Sequence, residues 1–341
     1  MGTMIEFEDA RIGAGERPYI VAEAGVNFRD DVDLGKAFVE EAAAAGADAV
    51  KFQTHVPEAE MVESEMRELD LGDLYERMGV YALSMDEHRE LRDHCREHGV
   101  TFLSTPFSPA AVERLEELGV GAYKVGSGEL TNHHLLRTIA ETGKPMIVST
   151  GMHSMETVRE AADLLDEHAT EYMFLYCVSE YPTEPSDFNL GLIPRMREEF
   201  DVPVGFSDHS TGVEAAAVAM ARGADLVEKH FTIDRRLPGG DQDVSIEPEE
   251  LAELAEYAEL CHATTGDEKE VRDDEAAIAE WARHSVVTAA SVSAGETLTA
   301  DALTTKRPGT GIPANEFDDV VGRTAARDLD EDTLLRESDL E

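Results

Sequence analysis

Two histidines that could bind a metal ion follow neighbouring apolar runs of the chain. His209 comes just after the run 203–207, and His230 lies near the end of the next run, 225–231. Imidazole nitrogens are common ligands of divalent transition metals, so this pair could share one ion. Two hydrogen-bonded histidines without a metal would leave the same pattern, and the spacing alone does not decide between these interpretations.

Lysines placed inside apolar runs indicate an anion-binding site. Lysine is scarce in this chain, yet Lys51, Lys124 and Lys229 all lie in short runs that resemble strands. A lysine that only solvates the surface would not be placed there, although a lysine at a strand end could still reach water. Lys51 and Lys124, together with Ser149 or Ser207, would form a site for a dianion such as phosphate.

Two glutamates are candidates for proton transfer beside this anion site. Glu23 ends the first apolar run, and Glu129 follows the run that contains Lys124. A carboxyl group held near a substrate can act as a general acid or base. A metal ion, a cationic phosphate site and such carboxylates in one place suggest carbon–carbon chemistry on a phosphorylated small molecule.

The elements that must hold these residues alternate between short apolar runs and longer amphipathic runs. The predicted strands span 19–23, 48–53, 100–104, 121–126, 145–150, 172–177, 203–207 and 225–231. The predicted helices span 32–45, 86–98, 108–117, 132–142, 155–167, 189–199, 212–221 and 248–261. Eight strands alternating with eight helices predict an α/β fold, a (β/α)8 TIM barrel. A doubly wound sheet is the alternative, but no GxGxxG motif follows the first strand.

Every predicted strand ends in a polar, functional-looking group. In a (β/α)8 barrel the carboxyl ends of the strands face the active site, so these groups should meet in one pocket. Besides the residues already named, the polar groups at or just after these ends include Asn27, Gln53, Thr105, Ser127, Ser179, Tyr181 and Glu228. A need for solubility explains the serines and threonines, but not the paired lysines, glutamates and histidines.

Changes in composition and in apolar spacing along the sequence divide the chain into two domains. Residues 1–265 form the predicted barrel domain, in which 1–18 are a small hairpin or plug. Residues 266–284 are acidic with little apolar spacing, which predicts a linker. Residues 285–341 combine β-prone pieces with Gly and Pro turns and predict a small β-rich domain. Such a short domain buries little surface by itself, so we expect it to pack on something.

The composition restricts the partners and the location. The 341 residues carry a formal net charge of −44, with Lys+Arg 29 against Asp+Glu 73. This charge repels phosphate backbones and excludes nucleic acid as a partner. Because the acids are spread along the whole chain, they favour a surface suited to high salt over an acidic interaction module. The sequence has no apolar run of membrane-spanning length and no signal-peptide pattern, which predicts a cytoplasmic protein without membrane contact.

Taken in order, these residues belong to motifs that resemble the sialic acid synthase (N-acetylneuraminate synthase) family. The barrel motifs are Glu23-Ala24-Gly25-Val26-Asn27, Lys51-Phe52-Gln53-Thr54, Ser104-Thr105-Pro106-Phe107, Lys124-Val125-Gly126-Ser127-Gly128-Glu129, Ser149-Thr150-Gly151-Met152, Tyr181-Pro182-Thr183, Ser207-Asp208-His209 and Glu228-Lys229-His230-Phe231-Thr232. The segment Lys306-Arg307-Pro308-Gly309-Thr310-Gly311-Ile312 is similar to the C-terminal antifreeze-like (SAF) domain of that family. Each motif alone is weak, but the ordered set is specific.

The resemblance implies a reaction between two small molecules. Phosphoenolpyruvate would condense with an N-acetylated amino sugar, such as N-acetylmannosamine, to give a nonulosonic acid and phosphate. A divalent metal, typically Mn²⁺ with Mg²⁺ or Co²⁺ as alternatives, would be held by His209 and His230 and would polarise the sugar aldehyde. C3 of phosphoenolpyruvate attacks that aldehyde, water adds at C2, and the tetrahedral intermediate loses phosphate.

The resemblance also assigns roles to single residues. The positions that hold the phosphate and carboxylate of phosphoenolpyruvate are matched by Lys51, Lys124, Ser127, Ser149 and Ser207. Glu23 matches a carboxylate near the attacking water, with Glu129 and Glu228 as further polar members of the catalytic set. The remaining substrate-binding positions are Asn27, Gln53, Thr105, Ser179, Tyr181 and Asp241. Arg307 matches an arginine that reaches into the barrel of the other subunit, which implies a domain-swapped homodimer.

Three departures from the family pattern leave the acceptor sugar open. Phe28 follows Asn27 where the family often has histidine, and Ser179 lies in a strand-six motif that often reads Cys-Thr-Asn-x-Tyr. Gln242 follows Asp241 where histidine is frequent. Legionaminic or pseudaminic acid synthases, and synthases using a 6-phosphorylated sugar, are therefore alternatives. A non-catalytic carbohydrate-binding relative, or a lyase that uses lysine as a Schiff base, would be a different class of protein.

Overall fold

The computed structural model describes residues 4–29, 31–266 and 268–341. The chain separates into two compact units, Met1–Gly266 and Asp267–Glu341. The first unit contains a small N-terminal hairpin and a large parallel sheet with its helices, and the second contains a short antiparallel pair of strands.

The elements follow one another in the alternating pattern that the sequence predicts. The strands of the first unit are β1 (Met4–Phe7), β2 (Ala10–Gly13), β3 (Tyr19–Gly25), β4 (Ala49–Thr54), β5 (Thr101–Pro106), β6 (Tyr123–Val125), β7 (Met146–Ser149), β8 (Tyr172–Cys177), β9 (Val204–Asp208) and β10 (Leu226–His230). Its helices are α1 (Val32–Ala44), α2 (Pro57–Glu60), α3 (Glu63–Glu68), α4 (Gly72–Tyr81), α5 (Met85–Glu97), α6 (Pro109–Leu118), α7 (His133–Ala140), α8 (Met155–Glu167), α9 (Leu192–Phe200), α10 (Glu214–Ala221) and α11 (Pro248–Ala263). The second unit has α12 (Asp273–Ala282), β11 (Ser285–Thr288), β12 (Leu303–Lys306) and α13 (Phe317–Val320).

Eight parallel strands form the central sheet of the first unit. They pair in the order β5-β4-β3-β10-β9-β8-β7-β6. The two end strands, β5 and β6, also lie side by side, so the sheet curves round into a barrel. This confirms the predicted (β/α)8 architecture. The predicted N-terminal hairpin is formed by β1 and β2, which pair antiparallel.

The inner face of the barrel changes from apolar to polar along its strands. Because side chains alternate between the two faces of a strand, Tyr19, Val21 and Glu23 of β3 share the inner face, as do Leu226 and Glu228 of β10. The apolar inner residues pack with the hairpin in one buried cluster: Ile5, Phe7, Ala10, Ile12, Tyr19, Val21, Ala49, Leu103, Ala122, Ile147, Met173, Leu175 and Leu226. The hairpin therefore closes the N-terminal end of the barrel, and the polar residues gather at the other end.

Local capping signals fix where the outer helices begin and end. The N-terminus of α5 is a capping box, in which Ser84 accepts a hydrogen bond from the Glu87 N–H and the Glu87 carboxylate accepts one from the Ser84 N–H. Helix α6 starts after Ser108 and ends at Gly119, whose φ of 78° is left-handed. Within the described residues, no helix combines the length and the apolar character needed to cross a bilayer.

Three helices that the sequence pattern did not predict lie between β4 and α5. They are α2, α3 and α4, and neither α3 nor α4 has a buried residue. Apolar periodicity predicts helices that cover a core. These helices do not cover one, so their pattern is weak.

The second unit has its own small core around a strand pair. Strand β11 pairs antiparallel with β12, with Ser285 opposite Lys306. The buried residues of this core are Val286, Val292, Leu298, Leu303, Ile312, Val320, Ala325, Leu329, Leu335 and Leu340. These observations agree with the predicted β-rich SAF fold.

Helix α12 corrects the prediction that residues 266–284 are a plain linker. The first turn of α12 contains Asp273, Asp274 and Glu275, and negative charges there are favourable beside the helix N-terminus. Its large apolar residues, Ile278 and Trp281, are more than half exposed. The segment therefore forms a helix without a buried stripe, which is why its sequence reads as a linker.

Candidate active site

One cavity of about 580 Å³ opens at the C-terminal ends of the barrel strands. This size suits a small-molecule site. Most of the predicted site residues line it: Glu23, Lys51, Gln53, Thr105, Lys124, Ser127, Ser149, Ser179, Tyr181, Ser207, His209, Glu228, His230 and Asp241. The structure thus brings together side chains from all eight barrel strands or the loops that follow them.

A buried network of two lysines and two glutamates forms the floor of the cavity. The Lys51 ammonium lies 2.6 Å from a Glu23 oxygen and 3.6 Å from Glu228. The Lys124 ammonium lies 3.7 Å from the other Glu228 oxygen and donates a hydrogen bond of 2.7 Å to the Ser149 hydroxyl. All four charged side chains are at least nine-tenths buried. Their charges balance within the group, which makes the burial of each tolerable.

Burial and neighbouring charges move the pKa values of this network in opposite directions. Burial raises the pKa of Glu23 to about 7, although Lys51 opposes the shift. Burial also acts against ionisation of Glu228, but Lys124 and Lys51 outweigh it and hold the pKa of Glu228 at about 2. Burial lowers the pKa of Lys124. The floor therefore pairs one permanently charged carboxylate with another that can exchange a proton near neutral pH.

The two histidines stand side by side at the wall, with ring centroids 5.4 Å apart. Nδ1 of His209 lies 2.8 Å from the Val178 carbonyl, and the Tyr181 hydroxyl lies 3.0 Å from Nε2 of the same ring. Nδ1 of His230 is buried and has no hydrogen-bond partner. Burial lowers the pKa of both rings, which keeps them neutral at pH 7.

These features fit a divalent metal. A neutral imidazole whose Nδ1–H is held by a carbonyl presents its Nε2 lone pair as a ligand. The buried, unpartnered Nδ1 of His230 offers a second nitrogen ligand, and an Asp241 carboxylate oxygen lies 3.7 Å from it. Two histidine ligands leave coordination positions for water and substrate, as catalytic sites do.

A chain of hydrogen bonds behind the floor includes His55, which sequence reasoning missed. The Gln53 amide donates to Glu23 over 3.2 Å, and Nε2 of His55 lies 3.0 Å from the Gln53 oxygen. Nδ1 of His55 lies 2.9 Å from Glu60, and its ring stacks on Phe107 with centroids 4.5 Å apart. The signal was present, because strand alternation places residue 55 on the same side as 51 and 53. His55 therefore fixes the amide that holds Glu23.

Helix α4 forms part of the rim and was also missed. Leu74, Met78 and Tyr81 line the cavity, together with Arg77. Their spacing of four and three residues is that of one helix face, which is the signal that could have identified them. Among the described residues, no hydrogen bond or ion pair involves Arg77, in a chain where acids greatly outnumber bases. The rim thus offers one unpaired cation beside an apolar surface.

Three predicted site residues lie elsewhere. Asn27 is fully buried, where it donates to the Phe231 carbonyl and accepts from the Asp241 N–H, so it holds the loop that carries Asp241. Glu129 accepts a hydrogen bond from Asn132 and is not among the cavity-lining residues. Arg307 lies in the second unit.

The departures from the family pattern differ in their relation to the cavity. Phe28 is buried and packs edge-on against Phe52, with ring centroids 5.4 Å apart, so it lies in the core and not at the wall. Gln242 is buried with both side-chain polar atoms unpartnered. Ser179 lines the cavity, and its hydroxyl lies 4.0 Å from the Cys177 sulfur.

Lys229 was grouped with the other buried lysines by sequence, but it lies on the opposite face of its strand. Its ammonium lies 2.9 Å from Asp208, and neither side chain has any exposed surface. It also donates to the Ser210 carbonyl. Lys229 therefore belongs to a closed internal ion pair and not to the cavity.

Comparisons with known proteins agree with this arrangement. The family model described as "NeuB family" matches residues 38–270, and the one described as "SAF domain" matches residues 283–341. The chain is 34% identical to N,N'-diacetyllegionaminic acid synthase of Campylobacter jejuni, covering 94% of this chain and 100% of that protein. It is also 34% identical to human N-acetylneuraminate-9-phosphate synthase, covering 98% of this chain and 96% of that protein. The solved N-acetylneuraminic acid synthetase of Leptospira borgpetersenii, in complex with citrate, matches with a TM-score of 0.75 and 32% identity over 81% of this chain and 94% of that chain.

Proposed function

The chain belongs to the NeuB family and ends in a SAF domain, and on this basis we propose that it condenses phosphoenolpyruvate with an N-acetylated amino sugar. The products are a nonulosonic acid and phosphate. The observation that carries the proposal is the floor of the cavity, where two buried lysines stand beside a glutamate with a raised pKa and a neutral histidine pair.

The floor of the cavity suits phosphoenolpyruvate, which carries both a phosphate and a carboxylate. Lys51 and Lys124 supply the positive charge, and the hydroxyls of Ser149 and Ser207 supply further donors. In the absence of substrate, Glu228 keeps both ammonium groups charged and in place. A site preorganised in this way binds an anion without first moving its cations.

His209 and His230 would hold a divalent metal, for which Mn²⁺ is our first candidate and Mg²⁺ or Co²⁺ are alternatives. When bound, the metal supplies a Lewis acid for the aldehyde oxygen of the open-chain sugar. Tyr181 stacks on His209 with ring centroids 4.1 Å apart and orients that ring. Removal of the metal by EDTA should abolish turnover reversibly, and full activity in excess EDTA would contradict this role.

The bond changes follow from the two substrates. The electron pair of the C2=C3 double bond of phosphoenolpyruvate forms the bond from C3 to the aldehyde carbon, and the aldehyde oxygen takes up a proton. Water then adds at the electron-deficient C2 and loses one proton. The C2–O bond to phosphate breaks as the new C2 hydroxyl loses its proton and becomes the ketone oxygen. Glu23 is placed to accept the proton from water, since burial raises its pKa to about 7 and Lys51 and Gln53 fix its two oxygens.

A phosphorylated acceptor is a second candidate, and Arg77 favours it. This arginine lines the mouth of the cavity and has no anionic partner among the described residues. A guanidinium group there can bind a phosphate at C6 of the sugar in a bidentate manner. The apolar neighbours Leu74 and Met78 favour acyl groups instead, as diacetylated acceptors would provide.

Phosphate release from phosphoenolpyruvate tests these alternatives. The acceptors to compare are N-acetylmannosamine, its 6-phosphate and diacetamido hexoses, with His230→Ala as the inactive control. A preference for the 6-phosphate that Arg77→Ala removes would establish the second candidate. If none of the acceptors in the panel is turned over, the result would contradict the proposal and favour a non-catalytic relative. Inactivation by borohydride with substrate would favour a Schiff-base lyase.

We also propose that the active form is a homodimer in which Arg307 serves the partner's barrel. Within its own unit Arg307 is exposed, stacks over Trp281 at 5.2 Å and donates to the Ala282 carbonyl. In such a dimer each barrel receives Arg307 from the other subunit, so the two sites obey two-fold symmetry. Mixing inactive Arg307→Ala and His230→Ala variants should restore partial activity. If the subunits exchange and no activity returns, the crossed arrangement is wrong.

A further inference from the structure

Three metal-ligating side chains meet on the outer helical layer of the barrel. Glu40 projects from α1, His94 from α5, and His98 caps the C-terminus of α5. In the described part of the chain, this is the one group of three or more His, Cys, Asp or Glu residues whose ligand atoms all lie within 4.8 Å of one another. None of the three lines the active-site cavity. We infer that Glu40, His94 and His98 form a second metal site, which binds a Zn²⁺-like transition ion.

The distances suit one small ion. Nε2 of His94 lies 3.1 Å from a Glu40 carboxylate oxygen, and the rings of His94 and His98 lie 4.5 Å apart. Zinc bonds of about 2.0–2.2 Å in tetrahedral geometry place neighbouring ligand atoms roughly 3.3 Å apart. Glu40 and His94 already have that separation, and His98 is four residues along the same helix face. The ligand atoms of all three residues lie within 4.8 Å of one another.

A further carboxylate lies near one of the ligands, just beyond hydrogen-bonding distance. Glu97 lies 3.7 Å from Nδ1 of His94, on the side of the ring away from Glu40. A carboxylate on the second nitrogen of a ligating histidine fixes its tautomer and raises its basicity. The segment His94-Cys95-Arg96-Glu97-His98 has the spacing H-x-x-E-H, which is found in some zinc-binding helices. Because Glu40 is about half exposed and none of the three residues lines the active-site cavity, we assign binding and not catalysis.

The ligand set selects the class of ion. The acid-rich surface attracts Mg²⁺ and other hard cations in general, but two imidazoles with one carboxylate favour Zn²⁺, Co²⁺, Ni²⁺ or Cu²⁺. A bound ion would join α1 to α5, which already pack against each other. Binding to the folded state alone stabilises it in proportion to the logarithm of the free ion concentration.

The test measures this site with the active-site ligands removed. Full-length protein carrying His209→Ala and His230→Ala is titrated with Zn²⁺ by calorimetry and with Co²⁺ by absorption. We expect one ion per chain, an intense tetrahedral Co²⁺ band and a midpoint of thermal unfolding that rises with Zn²⁺. Adding His94→Ala and His98→Ala should abolish all three signals, and Glu97→Gln should weaken binding about 10–100-fold.

The matched control is His168→Ala, because His168 caps the C-terminus of α8 as His98 caps α5. This change should leave Zn²⁺ binding unaltered. Equal Zn²⁺ stoichiometry and equal Zn²⁺-dependent unfolding in the control and in the His94→Ala, His98→Ala protein would overturn the inference. The titration is repeated with His94→Ala and His98→Ala in protein that keeps His209 and His230, in case the variants at those two positions misfold. In that protein one of two bound ions should be lost. Turnover assays decide the proposed function separately, because this cluster lies outside the cavity.

Discussion

Two buried groups of lysines and carboxylates meet at β10, where Lys229 of one group and Glu228 of the other lie on opposite faces of the strand. Behind β9 and β10, Lys229 pairs with Asp208 at 2.9 Å with no exposed surface. On the inner face of β10, Glu228 lies 3.7 Å from Lys124 of β6, at the floor of the cavity. The residue types and the depth of burial are nearly the same, and burial lowers the pKa of both Lys229 and Lys124.

The difference between the two groups is access. The rear pair is closed, because the Lys229 ammonium is taken up by Asp208 and by the Ser210 carbonyl. The front group adjoins a cavity of about 580 Å³, so an incoming anion can replace part of its carboxylate contacts. Burial and charge pairing therefore do not identify a functional lysine by themselves. The face of the strand on which the lysine lies separates a structural ion pair from a binding site.

The largest expected effect is a loss of stability when the closed pair of Lys229 and Asp208 is broken. Lys229→Met leaves the Asp208 carboxylate buried without its counter-ion, which should cost about 3–5 kcal/mol of unfolding free energy. Denaturant unfolding measures this loss, and activity per folded molecule should change little. Lys144→Met is the matched control, because Lys144 pairs with Glu116 near the surface, where about 1 kcal/mol or less is at stake. Equal losses in the two variants would remove the contrast.

The next effect is on activity, at the front group. Lys124→Met should lower kcat/KM for phosphoenolpyruvate by about 10²–10³-fold, because one of the two buried cations for the anion is gone. The apparent KM for the acceptor should change less. Stability should fall less than in Lys229→Met, since Lys51 remains beside Glu228 and water can enter the cavity. An effect confined to the acceptor would show that the two halves of the cavity are assigned the wrong way round.

A smaller effect sharpens the role of Glu23. If Glu23 accepts a proton, kcat/KM should rise with pH through about 7, where its carboxyl group ionises. The hydrogen bond from the Gln53 amide stabilises the charged form of Glu23. Gln53→Leu should therefore move the rise of kcat/KM to higher pH. His55→Phe, which keeps the stacking on Phe107 but removes the bond to Gln53, should move it in the same direction and less far. If the pH profiles of both variants coincide with that of the wild type, Glu23 is not the proton acceptor.

The smallest effect separates surface charge from buried charge. The net charge of −44 repels itself most at low ionic strength, where the Debye length is about 30 Å at 0.01 M against about 3 Å at 1 M. The midpoint of thermal unfolding should therefore rise with KCl. The deficit caused by Lys229→Met should stay constant over the same range, because that pair is shielded from solvent ions. A wild-type midpoint that ignores salt would refute the interpretation of the charge as a high-salt surface.

The sequence predicted the barrel and most of the cavity because both follow from local patterns. Strand alternation and polar strand ends place Lys51, Lys124 and Glu228 in one layer without any knowledge of long-range contacts. The same alternation would have excluded Lys229, which lies between Glu228 and His230 in the chain and must face the other way. Its grouping with the other lysines relied on residue type alone.

The missed parts of the site depend on packing that sequence patterns do not record. Helix α4 has no buried residue, so its rim-forming side chains lack the contrast that marks a core-facing helix. His55 acts through Gln53 and Glu60, and only the fold brings those groups within hydrogen-bonding distance. Asn27 matched a substrate position in the motif, yet tertiary contacts occupy its polar atoms with the loop around Asp241.

The hairpin of β1 and β2 closes one end of the barrel, and this has a consequence for the order in which two substrates bind. Apolar side chains of the hairpin fill the N-terminal end of the barrel, so we expect reactants to enter and products to leave at the other end, through the mouth beside α4. The lysines lie at the bottom of the cavity, and Arg77, which has no partner in the part of the chain that the structure describes, lies at its mouth. A sugar that arrives first would therefore obstruct the path of phosphoenolpyruvate. Sequential kinetics with phosphoenolpyruvate leading, and inhibition by excess sugar that more phosphoenolpyruvate relieves, follow from that single closed end.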